Sequence, residues 1–136
     1  KYFLNKYYYP KVCTHGYAFA KFSNSMKDIS DGFFGDLKKM LNSRFGAKLY
    51  LKSIPLSTQL NKIISNKLIN IKNVLNSGDN YQLIIISNKK FRSAIFKTAK
   101  KYKIKISRVG KITKKKNIVD DSNNILNIPK EFDHFL

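Results

Sequence analysis

Two carboxylates flank a hydroxyl in Asp28-Ile29-Ser30-Asp31-Gly32. A hard cation such as Mg²⁺ takes oxygen ligands and is commonly held by one or two carboxylates together with substrate phosphates, so this spacing suits a metal-bound phosphoryl group. The segment lies where a strand pattern gives way to a helix pattern, and a helix N-terminus turns N–H groups and its positive end toward an anion. The same residues have a plainer use, in which Ser30 or Asp31 caps the helix and Gly32 permits a tight turn. A second segment, Ser77-Gly78-Asp79-Asn80-Tyr81-Gln82, is a glycine-bearing turn feeding an apolar strand, and such a turn either places polar groups at a sheet edge or simply reverses the chain. The third is Phe132-Asp133-His134-Phe135, where His134 offers a base or ligand and Phe132 a face for a flat ring; the alternative is an aromatic anchor for the tail. His15 is the other histidine, so no zinc constellation exists, and neither a nucleophile–base–acid set nor a Walker-type phosphate loop is present.

The elements that must position these residues follow from hydrophobic spacing. Residues 17–29 read as a short helix and a brief strand. Phe33, Phe34, Leu37, Met40 and Leu41 recur at helical spacing, predicting an amphipathic helix over 32–43 that Gly46 closes. Residues 47–52 alternate as a strand does, and Pro55 breaks the chain. Ser57 or Thr58 caps a helix carrying Leu60, Ile63 and Ile64, and a second short helix covers 68–75. The run Tyr81 to Ile86 reads as a strand buried on both faces. Asn88 caps a helix over 89–102, residues 104–112 alternate again, Lys114 to Lys116 form a turn, and short strands near 117–120 and 125–128 complete the order. Residues 1–12, with Tyr7, Tyr8 and Tyr9 before Pro10, read as an entry segment that stacks on bases or packs on a neighbouring domain. The expected fold is α/β: one domain over 1–136, a layered sandwich of helices on a mixed sheet.

Composition narrows the function classes. The chain has 136 residues, 43% of them apolar, enough for one core. No apolar run approaches the ~20 residues of a membrane span, and no signal segment opens the chain. The single Cys13 excludes a disulfide framework and suits a reducing cytoplasm. The net charge is +19, from 27 basic against 8 acidic residues. Such a balance attracts phosphate without specificity. Only Arg44, Arg92 and Arg108 are arginines, however, and base-specific readers rely on arginine forks. The excess therefore reads as compositional, and nucleic acid is not the expected partner.

Several segments, in order, resemble those of thiamine-monophosphate kinases. Asp28-Ile29-Ser30-Asp31-Gly32 followed by Asp36-Leu37 is similar to the family's D-I/V-S-D-G-L-x-x-D-L. Gly46-Ala47 and then Ile54-Pro55-Leu56-Ser57 resemble its G-A and L/I-P-L-S. Residues 76–83 look like its S-G-G-E-D-Y-E-L, and Arg108-Val109-Gly110-Lys111-Ile112 like its R-I-G-x-I/V. Phe132 to Phe135 are similar to its closing G-Y/W-D-H-F, and Tyr8-Tyr9-Pro10-Lys11 to the Y-x-x-P-x-P-R that opens the domain.

This resemblance implies the carboxy-terminal domain of such a kinase, with the fold shared by aminoimidazole ribonucleotide synthetase and selenophosphate synthetase. It implies transfer of the γ-phosphate of ATP to thiamine monophosphate with Mg²⁺, giving thiamine diphosphate. By position Asp28 and Asp31 would hold Mg²⁺, Ser30 would contact ATP, Asp79 would stand where the family's glutamate meets the substrate, and Phe132 would stack on thiamine. The family's amino-terminal domain is absent from this sequence and would come from a missing segment or partner chain; the full enzyme would be a cytoplasmic homodimer with no membrane attachment. The sequence departs from the pattern at Asp79-Asn80-Tyr81-Gln82, where Glu-Asp-Tyr-Glu is usual, and at Ser77-Gly78, where two glycines are. Two other readings stay open: a degenerate or divergent relative, which the 79–82 change favours, and a basic nucleic-acid-binding module built on residues 89–116, with thirteen basic residues and no acidic one.

Overall fold

The computed structural model describes residues 1–10, 12–78 and 81–128. Five helices are present among them: α1 (Tyr2–Tyr8), α2 (Phe33–Leu41), α3 (Thr58–Ser65), α4 (Ile71–Leu75) and α5 (Arg92–Lys101). Five strands accompany them: β1 (Ser25–Asp28), β2 (Gly46–Leu49), β3 (Leu83–Ile86), β4 (Gly110–Thr113) and β5 (Ile118–Val119). They form two small sheets. In one, β1 and β3 pair antiparallel, Ser25 opposite Ile86 and Asp28 opposite Leu83. In the other, β2 lies between antiparallel β4 and parallel β5, so this sheet is mixed.

Helix α2 holds the sheets together. Its apolar residues recur at helical spacing, and Phe33, Phe34, Leu37 and Leu41 are all buried. They share one core with Ile29 beside β1, Ala47 and Leu49 of β2, Ile84 of β3, Ile118 of β5, and Leu75 and Leu126. The helix ends at Asn42 in the left-handed conformation, where asparagine is tolerated. The next strand, β2, then enters the same core. Ser57 caps α3 by accepting from the N–H of Leu60 at 3.2 Å, and Asn70 caps α4 by accepting from that of Lys72 at 2.9 Å. Asn88 accepts from Lys90 N–H at 3.0 Å and starts the 3-10 turn Lys89–Phe91 that leads into α5.

Several expectations need correction. The 68–75 helix begins only at Ile71, because Asn70 is its cap and Leu68 stands exposed. The strand read over 47–52 stops at Leu49, since Leu51–Ser53 coil into a 3-10 turn ahead of Pro55. That shortens its partner: of 104–112 only Gly110 onward forms a ladder, after Tyr50 N–H reaches Val109 O at 2.8 Å. Residues 125–128 make one bridge, Val119 to Ile125, in place of a strand. The run Leu83–Ile86 is fully buried only at Ile84, in a sheet that has two strands among the described residues. The entry segment is helical as α1, which ends with Tyr9 as its C-cap ahead of Pro10, with Tyr9 at φ −131 and ψ 69, and none of its side chains is buried. No helix among the described residues is long and apolar enough to cross a membrane.

Two outcomes follow. Phe34 is 1% exposed at the centre of this core, so Phe34→Ala should lower unfolding free energy by about 3–5 kcal/mol, read from urea denaturation; a loss under about 1 kcal/mol would contradict the packing. The Asp120 carboxylate accepts from Asn124 Nδ2 at 3.1 Å and from the backbone N–H groups of Asn124 and Ser122, each at 2.9 Å. Asn124 above all, through side chain and backbone, holds the Asp120 pKa below the ordinary carboxylate range, helped by Ser122 N–H and the Lys72 charge. Because the folded pKa is the lower one, the turn's stabilisation is present above the unfolded aspartate pKa of about 3.9 and fades as pH falls through the folded value. A carbon-detected NMR titration should show Asp120 protonating below the ordinary aspartate range, and Asn124→Ala should raise it.

Candidate functional site

The two segments singled out in the sequence, nearly fifty residues apart, lie backbone against backbone. Pairing continues past the end of β1: Ile29 N–H donates to Gln82 O at 2.8 Å, and Tyr81 N–H donates to Ile29 O at 3.1 Å. Gly32 adopts φ +100, and a Cβ there would stand 2.8 Å from the carbonyl of Asn76. A Cβ on Gly78 would stand 2.3 Å from Ser30 O. Only glycine fits either position, the first for conformation and closeness, the second for closeness alone.

Asp28 is the last residue of β1 and is exposed. Ser30 is half-buried, and the Asp31 carboxylate is 37% exposed and paired with the Lys39 ammonium from α2. The structure therefore places Asp28 at the end of β1 and Ser30 and Asp31 in the loop that follows, with Asp28 exposed and Asp31 partly so. Asp79 and Phe132, and His134 with them, lie outside the described residues. Neither Ser30 nor Asp31 caps α2, contrary to the plainer expectation: Gly32 occupies the cap position and no side chain bonds there.

Asp36 supplies the missing link. It sits in the first turn of α2 and is 0% exposed. Its Oδ2 accepts from the backbone N–H of Ser30 at 2.9 Å and of Asp31 at 3.0 Å, and Lys27 Nζ stands 3.3 Å from Oδ1. That ion pair is Oδ1's compensation, since the atom accepts no hydrogen bond among the described residues. The carboxylate also occupies the positive end of α2 that the sequence reading had reserved for a ligand anion. Residue spacing missed this role. The signal was an acid between Phe34 and Leu37, on a helix flank that is otherwise apolar.

The deeper hollows lie elsewhere. One of about 270 Å³ is lined by Lys38, Leu41, Phe45 and Ile118 among others. Another of about 390 Å³ runs between the 3-10 turn Gly16–Phe22 and α5, past Tyr17, Lys21, Lys101 and Tyr102. There His15, Tyr17 and Tyr102 cluster with ring centroids 5.4–6.3 Å apart, and the Tyr102 phenol pushes the Tyr17 pKa up. Neither hollow is lined by Asp28, Ser30 or Asp31. Chemistry, and not concavity, marks the loop. Among the described residues no three His, Cys, Asp or Glu side chains gather as a closed metal site. Two acidic oxygen donors do fit Mg²⁺, which keeps water or substrate phosphates as its other ligands.

No protein-family model matches the chain. The fold is the layered one of the aminoimidazole ribonucleotide synthetase-like carboxy-terminal domains: the structure of AaThiL complexed with AMPPCP and TMP superposes with a TM-score of 0.75, covering 97% of this chain and 40% of that one at 21% identity. In sequence the chain is similar to thiamine-monophosphate kinases. That of Buchnera aphidicola subsp. Acyrthosiphon pisum (strain APS) is 33% identical over 131 residues, and that of Buchnera aphidicola subsp. Schizaphis graminum (strain Sg) is 34% identical over 134. Each alignment takes in 93% of this chain, which spans 40% of the length of either relative. The resemblance read from the residues is thus shown along nearly the whole chain.

The contact between the segments is testable through its glycine. Gly78→Ala forces its Cβ against Ser30 O, so it should cost about 1–3 kcal/mol in unfolding free energy and speed exchange of the Tyr81 amide. Unchanged stability together with unchanged exchange would mean that the two segments do not touch.

Proposed function

We propose that this chain is the carboxy-terminal domain of a kinase that transfers the γ-phosphate of ATP to thiamine monophosphate, giving thiamine diphosphate. Asp28 and Asp31 would hold Mg²⁺, Ser30 would contact ATP, Asp79 would meet the substrate, and Phe132 would stack on the thiamine ring. The observation that carries the reading is the docking of the 28–32 loop against residues 76–78 and 81–82. It brings two sequence segments that the thiamine-monophosphate kinases share into one place, with acidic oxygens left exposed. Phosphoryl transfer asks for that arrangement, because two anionic groups must meet and the protein's work is charge neutralisation and alignment. A bound Mg²⁺ would supply the positive charge between the phosphates. This chain's share is to present Asp28 and Asp31 as its ligands, to offer the Ser30 hydroxyl to the nucleotide, and to hold the loop against the turn that leads to Asp79.

The Lys39 ammonium on Asp31 fits the same reading as a stand-in cation. It is a partly exposed pair of modest strength, which a metal can displace. The remaining metal ligands and the dimer contacts belong, on this proposal, to an amino-terminal domain, and the whole enzyme works in the cytoplasm. The mostly lysine surface charge does not make nucleic acid the partner. The change at Asp79-Asn80-Tyr81-Gln82 favours one second reading, a divergent relative in which the nucleotide side is kept and the substrate side weakened.

Given Mg²⁺-ATP and thiamine monophosphate, the 136-residue chain alone should form little or no thiamine diphosphate, and mixing it with the amino-terminal domain of a similar kinase should raise the rate by orders of magnitude. Rapid turnover by the chain alone would overturn this division of labour. A thermal shift with Mg²⁺-AMPPCP but none with thiamine monophosphate would select the divergent reading.

A further inference from the structure

Asp36 belongs to neither segment that would meet ligand, yet both depend on it. A carboxylate 0% exposed loses its hydration, a cost of several kcal/mol that must be compensated locally. Compensation comes from three directed groups: the Ser30 and Asp31 amides on Oδ2 and the Lys27 ammonium beside Oδ1. A first-turn acid steadies a helix through its dipole even when exposed, so helix stability alone does not call for full burial. What the burial does is restrain two consecutive peptide groups outside the helix. With both N–H groups directed inward to Oδ2, the backbone bearing the Ser30 and Asp31 side chains is held in one orientation. Gly32, at φ +100, then lets the chain turn from this clamped loop into α2.

We infer that Asp36 is a positioning residue: it orients the Ser30–Asp31 loop so that the Asp31 carboxylate and the Ser30 hydroxyl are presented together with Asp28, and Lys27 balances its buried charge. The inference rests on the kinase reading proposed above, and it adds a consequence. The Ser30 and Asp31 amides are committed to Asp36, so a phosphate at this site would be met through a bound cation and the Ser30 hydroxyl and not by these two amides.

The test uses the 136-residue chain, amide exchange by NMR, and Mn²⁺ alone as the metal probe, read by paramagnetic broadening. In the wild type the Ser30 and Asp31 amides should exchange as slowly as those of the β1–β3 ladder, and Mn²⁺ should broaden signals of Asp28 and Asp31. Asp36→Asn keeps the volume and removes the charge. It should speed exchange of those two amides by about tenfold or more, the size expected for losing charge-assisted bonds, and weaken Mn²⁺ binding several-fold, while the ladder amides stay protected. Asp36→Asn with unchanged loop exchange and unchanged Mn²⁺ affinity overturns the inference. Loss of protection everywhere at once shows a general structural role and overturns it too. If the variant does not fold, the wild type still decides: Ser30 and Asp31 amides exchanging as freely as exposed loops would refute the clamp. Failure of the wild type to bind Mn²⁺ overturns the statement that Asp28 and Asp31 present a metal site within this chain, and the positioning role with it. Equal Mn²⁺ binding by wild type and variant overturns positioning alone.

Discussion

A charge fully withdrawn from water constrains everything around it. The Asp36 carboxylate is the one buried charged group among the described residues, and it sits in the first turn of α2, the helix whose apolar residues share one core with both sheets. Ion burial of this kind is tolerated only where partners are fixed in advance. The consequences run outward from there. Lys27 must project from β1 toward the helix, the Ser30 and Asp31 peptides must turn their N–H groups inward, and the chain must then reverse at a residue that accepts φ +100. That residue is Gly32, and its bare Cα also lets Asn76 approach. The loop, the helix start and the facing turn therefore form one mechanical unit.

The distribution of acids sharpens the point. The sequence has 8 acidic residues, and three of them, Asp28, Asp31 and Asp36, fall within nine positions. In a chain of +19 net charge, carboxylates scattered over the surface would be neutralised by any nearby lysine. Here one is sealed in and used structurally, one is exposed at a strand end, and one carries a displaceable ammonium. The surrounding excess of lysine raises the local attraction for phosphate while specifying no partner. On the kinase reading, selectivity would come from the loop.

What could be read from the residues follows the strength of the local rule. Helix α2 was legible because five apolar residues keep one period, and α3 because Ser57 caps it in the usual way. The convergence of the 28–32 and 76–82 segments was legible only through resemblance, since their contact is made by backbone atoms and by absent side chains. Strand ends were not legible: β4 is as short as β2 permits, and β2 stops where Leu51–Ser53 coil, a limit set by tertiary pairing and not by the alternation of 104–112. Helix α1 was missed because its aromatic residues bury nothing against this chain, so no amphipathic period marks it. Asp36 was visible as a letter and silent as a role, because one acid in a first turn is most often a solvated partner of the helix dipole.

The loop can also be set against the commoner way of holding phosphate. A glycine-rich cradle works by leaving backbone N–H groups unpaired and aimed at the anion. Such a loop needs no carboxylate, and one nearby would repel the ligand. This loop is built the opposite way: the Ser30 and Asp31 amides are taken by Asp36, while Asp28 is exposed and the Asp31 carboxylate partly so. On the kinase reading a triphosphate alone would be repelled by Asp28 and Asp31, whereas a triphosphate carrying a divalent cation would be drawn in. The internal carboxylate and the external ones thus serve a single end. On the same reading Asp36, by taking two N–H groups that would otherwise attract a bare anion, would make attraction to the loop conditional on the metal.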